Sequence, residues 1–124
     1  MNARQIMTEH VVSIISTASA RDARAMLAEH GVGGMPVLSE AGQVLGMLSE
    51  SDLQDAPGGT PVKDLMTSPP FTVQEETPVE EIAILLKAHK VNRLPVLRGE
   101  KLVGIVTRDD VISYVASKRA WERH

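Results

Sequence analysis

Residues 94–110 read Leu94-Pro95-Val96-Leu97-Arg98-Gly99-Glu100-Lys101-Leu102-Val103-Gly104-Ile105-Val106-Thr107-Arg108-Asp109-Asp110. Two short apolar runs flank a polar turn that contains glycine, which is the pattern of a β-hairpin. A hydroxyl residue then stands three positions before an acid, which marks the step from strand to helix. The same order of features occurs earlier in the chain. There Met35-Pro36-Val37-Leu38 is followed by a turn from Ser39 to Gln43, then by Val44-Leu45-Gly46-Met47-Leu48-Ser49, with Asp52 closing the motif.

Working outward, the correspondence extends well beyond the hairpins. Ile6-Met7-Thr8 is answered 59 positions later by Leu65-Met66-Thr67, Val12-Ser13-Ile14 by Phe71-Thr72-Val73, Met26-Leu27 by Leu85-Leu86, and His30 by His89. One residue is lost in the second turn, after which Gly46 matches Gly104 and Asp52 matches Asp110. Self-similarity over such a length means one supersecondary unit used twice. The Pro- and Gly-rich stretch Ala56-Pro57-Gly58-Gly59-Thr60-Pro61 reads as the linker. Residues 1–59 therefore form the first repeat, and residues 60–124 the second with a helical C-terminal tail.

Between the first strand and the hairpin of each copy, apolar residues recur at helical spacing: Ala20, Ala23, Met26, Leu27 and His30, then Val79, Ile82, Leu85, Leu86 and His89. For the second of these helices the sequence predicts Thr77 as N-cap, Pro78 at the first helical position and Glu80 completing a capping box. In the first, Ala18 occupies the cap column, so Ser19 with Asp22 must serve one residue later. A sustained last helix is expected from Asp109 through Tyr114 and Ala116, its counterpart from Ser51 being cut short by Pro57. Each copy thus reads β, α, β, β, α, an α+β arrangement. A three-stranded sheet with helices on one side leaves an apolar face, for which the other copy is the expected cover.

Composition narrows the function classes. Only three residues are aromatic (Phe71, Tyr114, Trp121), so a core must be aliphatic. Net charge is −3 with scattered Lys and Arg, which disfavours a nucleic-acid or membrane-surface partner. There is no cysteine, and the four His lack ligand spacing, so neither thiolate chemistry nor a metal is expected. No apolar run reaches about 18 residues, and Met1 to Thr8 lack the apolar core of a secretory signal, so cytoplasmic residence is expected. No nucleophile–base pair or Gly-rich phosphate loop stands out, and the chain is expected not to be an enzyme.

The ordered set of h-M-T, h-P-V-h and G-h-h-[ST]-x-x-D, repeated in register from about Arg4 to Ala116, resembles a CBS domain pair, the Bateman module. The resemblance implies tandem repeats related by a pseudo-twofold axis with their sheets packed together. It implies a stand-alone regulatory module that needs no cofactor and binds AMP, ADP or ATP, with NAD and S-adenosylmethionine as further candidates, in clefts between the repeats. It also implies a homodimer and an effector protein to receive the signal.

Ser49-x-x-Asp52 and Thr107-x-x-Asp110 carry two readings. The motif is a helix capping box worth about 1 kcal/mol, and a carboxylate there can also accept hydrogen bonds from a ribose cis-diol. In the resembled family the Asp grips ribose. The residues two and three before the h-P-V-h proline reach the phosphates of the ligand whose ribose the other repeat holds. One cleft would then combine Ser49 and Asp52 with Pro70, Phe71, Asn92 and Arg93, with Pro70 and Phe71 flanking the base. The other would combine Thr107, Arg108 and Asp110 with Val11, Val12, Gly33 and Gly34. Arg93 favours the first cleft although Glu50 opposes it, so two sites of unequal affinity are expected. His30 and His89 are read as helix-terminal residues outside the sites. The tail from Lys118 to His124, with Trp121, is read as an extension of the last helix, or alternatively as a dimer or effector contact.

Overall fold

The computed structural model describes residues 1–122. Its elements in chain order are α1 (Ala3–Ile6), β1 (Ile14–Ile15), α2 (Ala20–His30), β2 (Gly34–Leu38), β3 (Val44–Ser49), α3 (Glu50–Leu53), a 3₁₀ turn (Val62–Asp64), β4 (Val73–Gln74), α4 (Val79–His89), β5 (Arg93–Arg98), β6 (Lys101–Thr107) and α5 (Arg108–Glu122). They form two compact units, the first of Val12–Pro70 and the second of Met1–Val11 with Phe71 onward. Each unit holds a three-stranded sheet, β1-β2-β3 or β4-β5-β6, in which the short first strand runs parallel to the middle one and the hairpin is antiparallel.

The spatial units exchange segments relative to the repeats in sequence. Thr8 pairs with Ile105, and Thr67 with Met47, so the h-M-T segment of each repeat adds to the sheet of the other's hairpin. The h-P-V-h proline explains the pairing. Pro36 lies opposite Met47, and Pro95 opposite Ile105, in the middle strand of each sheet, where a missing N–H is normally not tolerated. Here the polar groups of Met47 turn away from the proline. Its N–H donates to Thr67 O at 3.0 Å, and its carbonyl accepts from Thr67 N at 2.8 Å. Ile105 and Thr8 make the same two bonds at 3.0 and 2.8 Å. On the proline's other side, β1 and β4 begin pairing only at Val37 and Val96. No ladder bond is therefore lost.

Each unit has its own aliphatic core. In the first, Ile14, Ala20, Ala23, Leu27, Met35, Val37, Leu48 and Leu53 are joined by Val62. In the second, Val73, Val79, Ile82, Leu86, Leu94, Val96, Val106 and Val111 are joined by Ala3. Val62 and Ala3, both fully buried, belong to the exchanged segments.

Those segments also finish the helix starts. Ser19 caps α2 with Asp22 in a full capping box, as expected. The expected box at Thr77 and Glu80 does not form: α4 begins one residue later, with Pro78 as N-cap and no side-chain cap. Thr77 Oγ1 instead accepts from Gln74 N at 3.1 Å, and the first amide of α4, Val79 N, donates to Met1 O at 3.1 Å. A tertiary backbone acceptor has replaced the local one. The Pro- and Gly-rich linker is likewise tied down, since Ala20 N donates to Thr60 O and Arg21 N to Gly58 O, at 2.8 and 3.0 Å. The capped turn α1, closed by Asn2 and Gln5, is too short to give a periodic signal. The last helix is sustained through Glu122 while α3 has four residues. Arg123 and His124, with the tail contacts proposed at Trp121, lie outside what is described.

Glycine at 46 and 104 is a consequence of the exchange. A Cβ on Gly104 would overlap Met7 Sδ and lie 2.8 Å from its Cγ, and one on Gly46 would lie 2.6 Å from Thr67 O and 2.8 Å from Met66 Sδ. Gly104→Ala and Gly46→Ala should each destabilise the fold by about 1–3 kcal/mol through overpacking, measured as a lower urea midpoint.

The end of β4 is fastened by an ion pair in which Arg98 Nε and Nη2 donate to Glu75 Oε1 and Oε2 at 2.8 and 3.2 Å. The hydrogen bonds from Arg98 hold the Glu75 carboxyl below its usual range. A carboxyl that titrates lower when folded contributes stability above its unfolded pKa and loses it as pH falls through the folded value. NMR titration should show Glu75 below an ordinary glutamate, and Arg98→Met should return it upward. The stability gap between the two proteins should narrow as pH falls through that range.

Candidate functional site

In both units the outer hairpin strand passes into a helix with no residue between. Thr107 ends β6 and Arg108 begins α5, just as Ser49 ends β3 and Glu50 begins α3. The acid three residues on folds back over this junction. Asp110 Oδ2 accepts from Thr107 N at 2.8 Å, and Asp110 N donates to Thr107 Oγ1 at 3.2 Å, a reciprocal capping box. In the first unit Asp52 Oδ2 accepts from both Ser49 N and Ser49 Oγ, at 2.9 and 3.0 Å, while the same hydroxyl lies 2.9 Å from Ser51 Oγ. The capping reading of this motif is thus realised twice. Among the described residues both carboxylates are engaged through Oδ2, which leaves Oδ1 to meet an outside donor. Both Asp side chains are half-buried, so they remain accessible.

The sheet register sets the next column beside each junction. Arg93 is the cross-strand partner of Thr107, and Gly34 that of Ser49. Arg108 N donates to Asn92 O at 2.8 Å, and Glu50 N to Gly33 O at 3.1 Å. The second unit therefore gathers Asn92, Arg93, Thr107, Arg108 and Asp110 at one end of its sheet. The first gathers Gly33, Gly34, Ser49 and Asp52. Val12 packs against the first core, Pro70 is the half-buried last residue of that unit, and Val11 is the half-buried end of the exchanged segment in the second unit.

Phe71 has a neighbour that sequence reasoning set aside. Its ring, 41% exposed, stacks on His89 with centroids 3.7 Å apart and planes 14° from parallel. His89 sits in the last turn of α4, as expected of a helix-terminal residue, yet it also backs a candidate base-flanking ring. The readable signal was the Val12/Phe71 column, aromatic in the second copy alone, beside a histidine repeated in both. Among the described residues no group of acidic and His side chains could hold a metal ion, and no helix is long and apolar enough to cross a membrane.

Comparison with known proteins places these features in context. The sequence profile of the CBS domain matches residues 3–59 and 62–117. Inosine-5'-monophosphate dehydrogenase of Korarchaeum cryptofilum is 32% identical over 111 residues, which cover 88% of this chain and 23% of that enzyme. Other curated relatives are spanned to 31% and 84% of their lengths. Among solved structures, CBSX2 in complex with AMP is 30% identical with a TM-score of 0.85, covering 95% of this chain and 98% of that one. The CBS domain of the bacterial CNNM/CorC family Mg2+ transporter in complex with ATP is 27% identical with a TM-score of 0.85, covering 94% and 87%.

The capping geometry has a measurable cost of removal. Asp52→Ala and Asp110→Ala should each lower unfolding free energy by about 1 kcal/mol without ligand and leave the far-UV spectrum that of a folded chain.

Proposed function

The chain belongs to the CBS domain family, and on that premise we propose that it is a regulatory module that binds adenosine-containing nucleotides and relays their occupancy. The observation that carries this reading is the twofold occurrence of a strand-to-helix junction whose half-buried carboxylate is engaged through Oδ2 and keeps Oδ1 for an outside donor. A ribose cis-diol supplies hydroxyl donors that such a carboxylate accepts. The relatives solved with AMP and with ATP support the ligand class.

In this reading Asp52 with Ser49, and Asp110 with Thr107, hold ribose. Asn92, Arg93 and Arg108 meet phosphate, with Arg93 suited to bidentate contact. Pro70 and Phe71, like Val11 and Val12, flank the base, and Gly33 and Gly34 let the ligand approach the backbone. The copies are chemically unequal, since Glu50 stands where the second copy has Arg108 and glycines stand where it has Asn92 and Arg93. Two sites of different affinity follow. A nucleotide that binds one arrangement of the chain better than another shifts their populations, and that shift, read by a second copy or by an effector protein, is the output. No catalytic step is assigned.

Calorimetry with AMP, ADP, ATP, NAD and S-adenosylmethionine tests the proposal. We expect two binding events of unequal affinity for at least one adenine nucleotide, with the ligand recovered unchanged. Asp52→Ala and Asp110→Ala should each remove one event. Silence across the panel, or unaltered affinity in both variants, would leave the two acids as helix caps in an interaction scaffold.

A further inference from the structure

Phe71 and His89 face each other in the second unit, with ring centroids 3.7 Å apart and planes 14° from parallel. That spacing is closer than an offset stack usually shows, so the rings overlap face to face and the imidazole covers one side of the phenyl. The phenyl is nevertheless 41% exposed. Its open surface is therefore the opposite face and the edges.

The two partners are held to very different degrees. His89 lies in the last turn of α4, and the helix closes directly after it with Lys90 at φ 54°. Lys90 N donates to Lys87 O at 3.3 Å and Val91 N to Leu86 O at 3.1 Å, the two bonds of a Schellman motif. The backbone that carries the imidazole is thus fixed. Phe71 lies two residues before β4, whose pairing with β5 starts at Val73. No ladder contact orients it, so the stack on His89 sets the direction of its ring.

The first unit is an internal control. There α2 ends in the same way, with Gly31 N donating to Ala28 O and Val32 N to Leu27 O, and it carries His30 in its last turn. The column of Phe71 holds Val12 in that copy. The copies share the histidine and the helix end that fixes it, and they differ in the ring.

We propose that His89 is a positioning residue, which holds the Phe71 ring as a stacking surface for the aromatic base of a bound ligand. Stacking on a flat ring needs no matched donors and acceptors, and it is lost on any ligand that lacks a base. The role rests on the nucleotide reading above and adds a difference between its two sites. The site at Phe71 gains affinity from the base by stacking, whereas the site at Val12 has only aliphatic contact to offer. A ring that is already oriented gives up little freedom when the base arrives, and this is how His89 contributes to affinity.

Calorimetry of the full chain with AMP, and with ribose 5-phosphate, which keeps the sugar and phosphate and lacks the base, tests the role. His89→Ala should weaken one AMP-binding event about three- to tenfold and leave the affinity for ribose 5-phosphate unchanged. His89→Phe should restore AMP binding by returning a ring, and His30→Ala should change neither ligand. Alanine suits the last turn of a helix, so His89→Ala should keep the far-UV spectrum of the folded chain. In the ligand-free chain the His89 ring protons should be shifted upfield by the Phe71 ring current, and Phe71→Leu should abolish that shift. AMP affinity unchanged in His89→Ala, an equal loss for both ligands, no recovery in His89→Phe, or no ring-current shift would each overturn the role, while AMP binding by the parent chain would keep the nucleotide reading standing. Silence of the parent chain toward AMP and the other nucleotides would sink that reading first, and this role with it.

Discussion

The structure depends on one close approach, that of a methionine-bearing segment to a glycine in the outer hairpin strand. Met7 lies over Gly104 and Met66 over Gly46, and the next residue of each segment exchanges two hydrogen bonds with Ile105 or Met47. Without that segment the outer strand would present unpaired N–H and C=O groups at a sheet edge. The middle strand would gain nothing in return, because its proline has no N–H to offer. Proline inside and glycine outside are thus two halves of one arrangement, in which ladder bonds missing inward are replaced outward by a segment from the other repeat.

The exchange couples stability to the site. The hairpin held by Thr8 or Thr67 is the same hairpin that ends in Thr107 or Ser49, so the strand-to-helix junction inherits its position from the segment behind it. The junction is stiff for a local reason as well, since one oxygen of each Asp is committed to the backbone amide of the hydroxyl residue. A carboxylate immobilised in this way loses little further entropy when a ligand donates to its second oxygen. Capping and ligand contact are therefore compatible uses of the same side chain.

Duplication has also freed the copies to diverge. The hairpins, cores and capped junctions use matching columns of the two copies, whereas the surface around the helix pair differs in charge. Gly31 against Lys90 and Glu50 against Arg108 change charge outside both cores, and Arg24 replaces Ala83, which packs against the second core. Such differences alter the surface of the two halves while the frame is kept.

The repeat, the order β, α, β, β, α, the hairpin turns and the candidate acids were legible in residues alone, because each rests on short-range periodicity or on contacts within a few positions. The α2 capping box was legible for the same reason. Tertiary structure decided what depends on distant partners: that each h-M-T segment joins the other repeat's sheet, that Met1 rather than Thr77 serves the first amide of α4, and that Phe71 stacks on His89. It also decided that Arg24 donates to the backbone at the end of α3. A backbone acceptor or a stacking ring brought in from far along the chain leaves no local pattern, so these features exist only once the chain has folded.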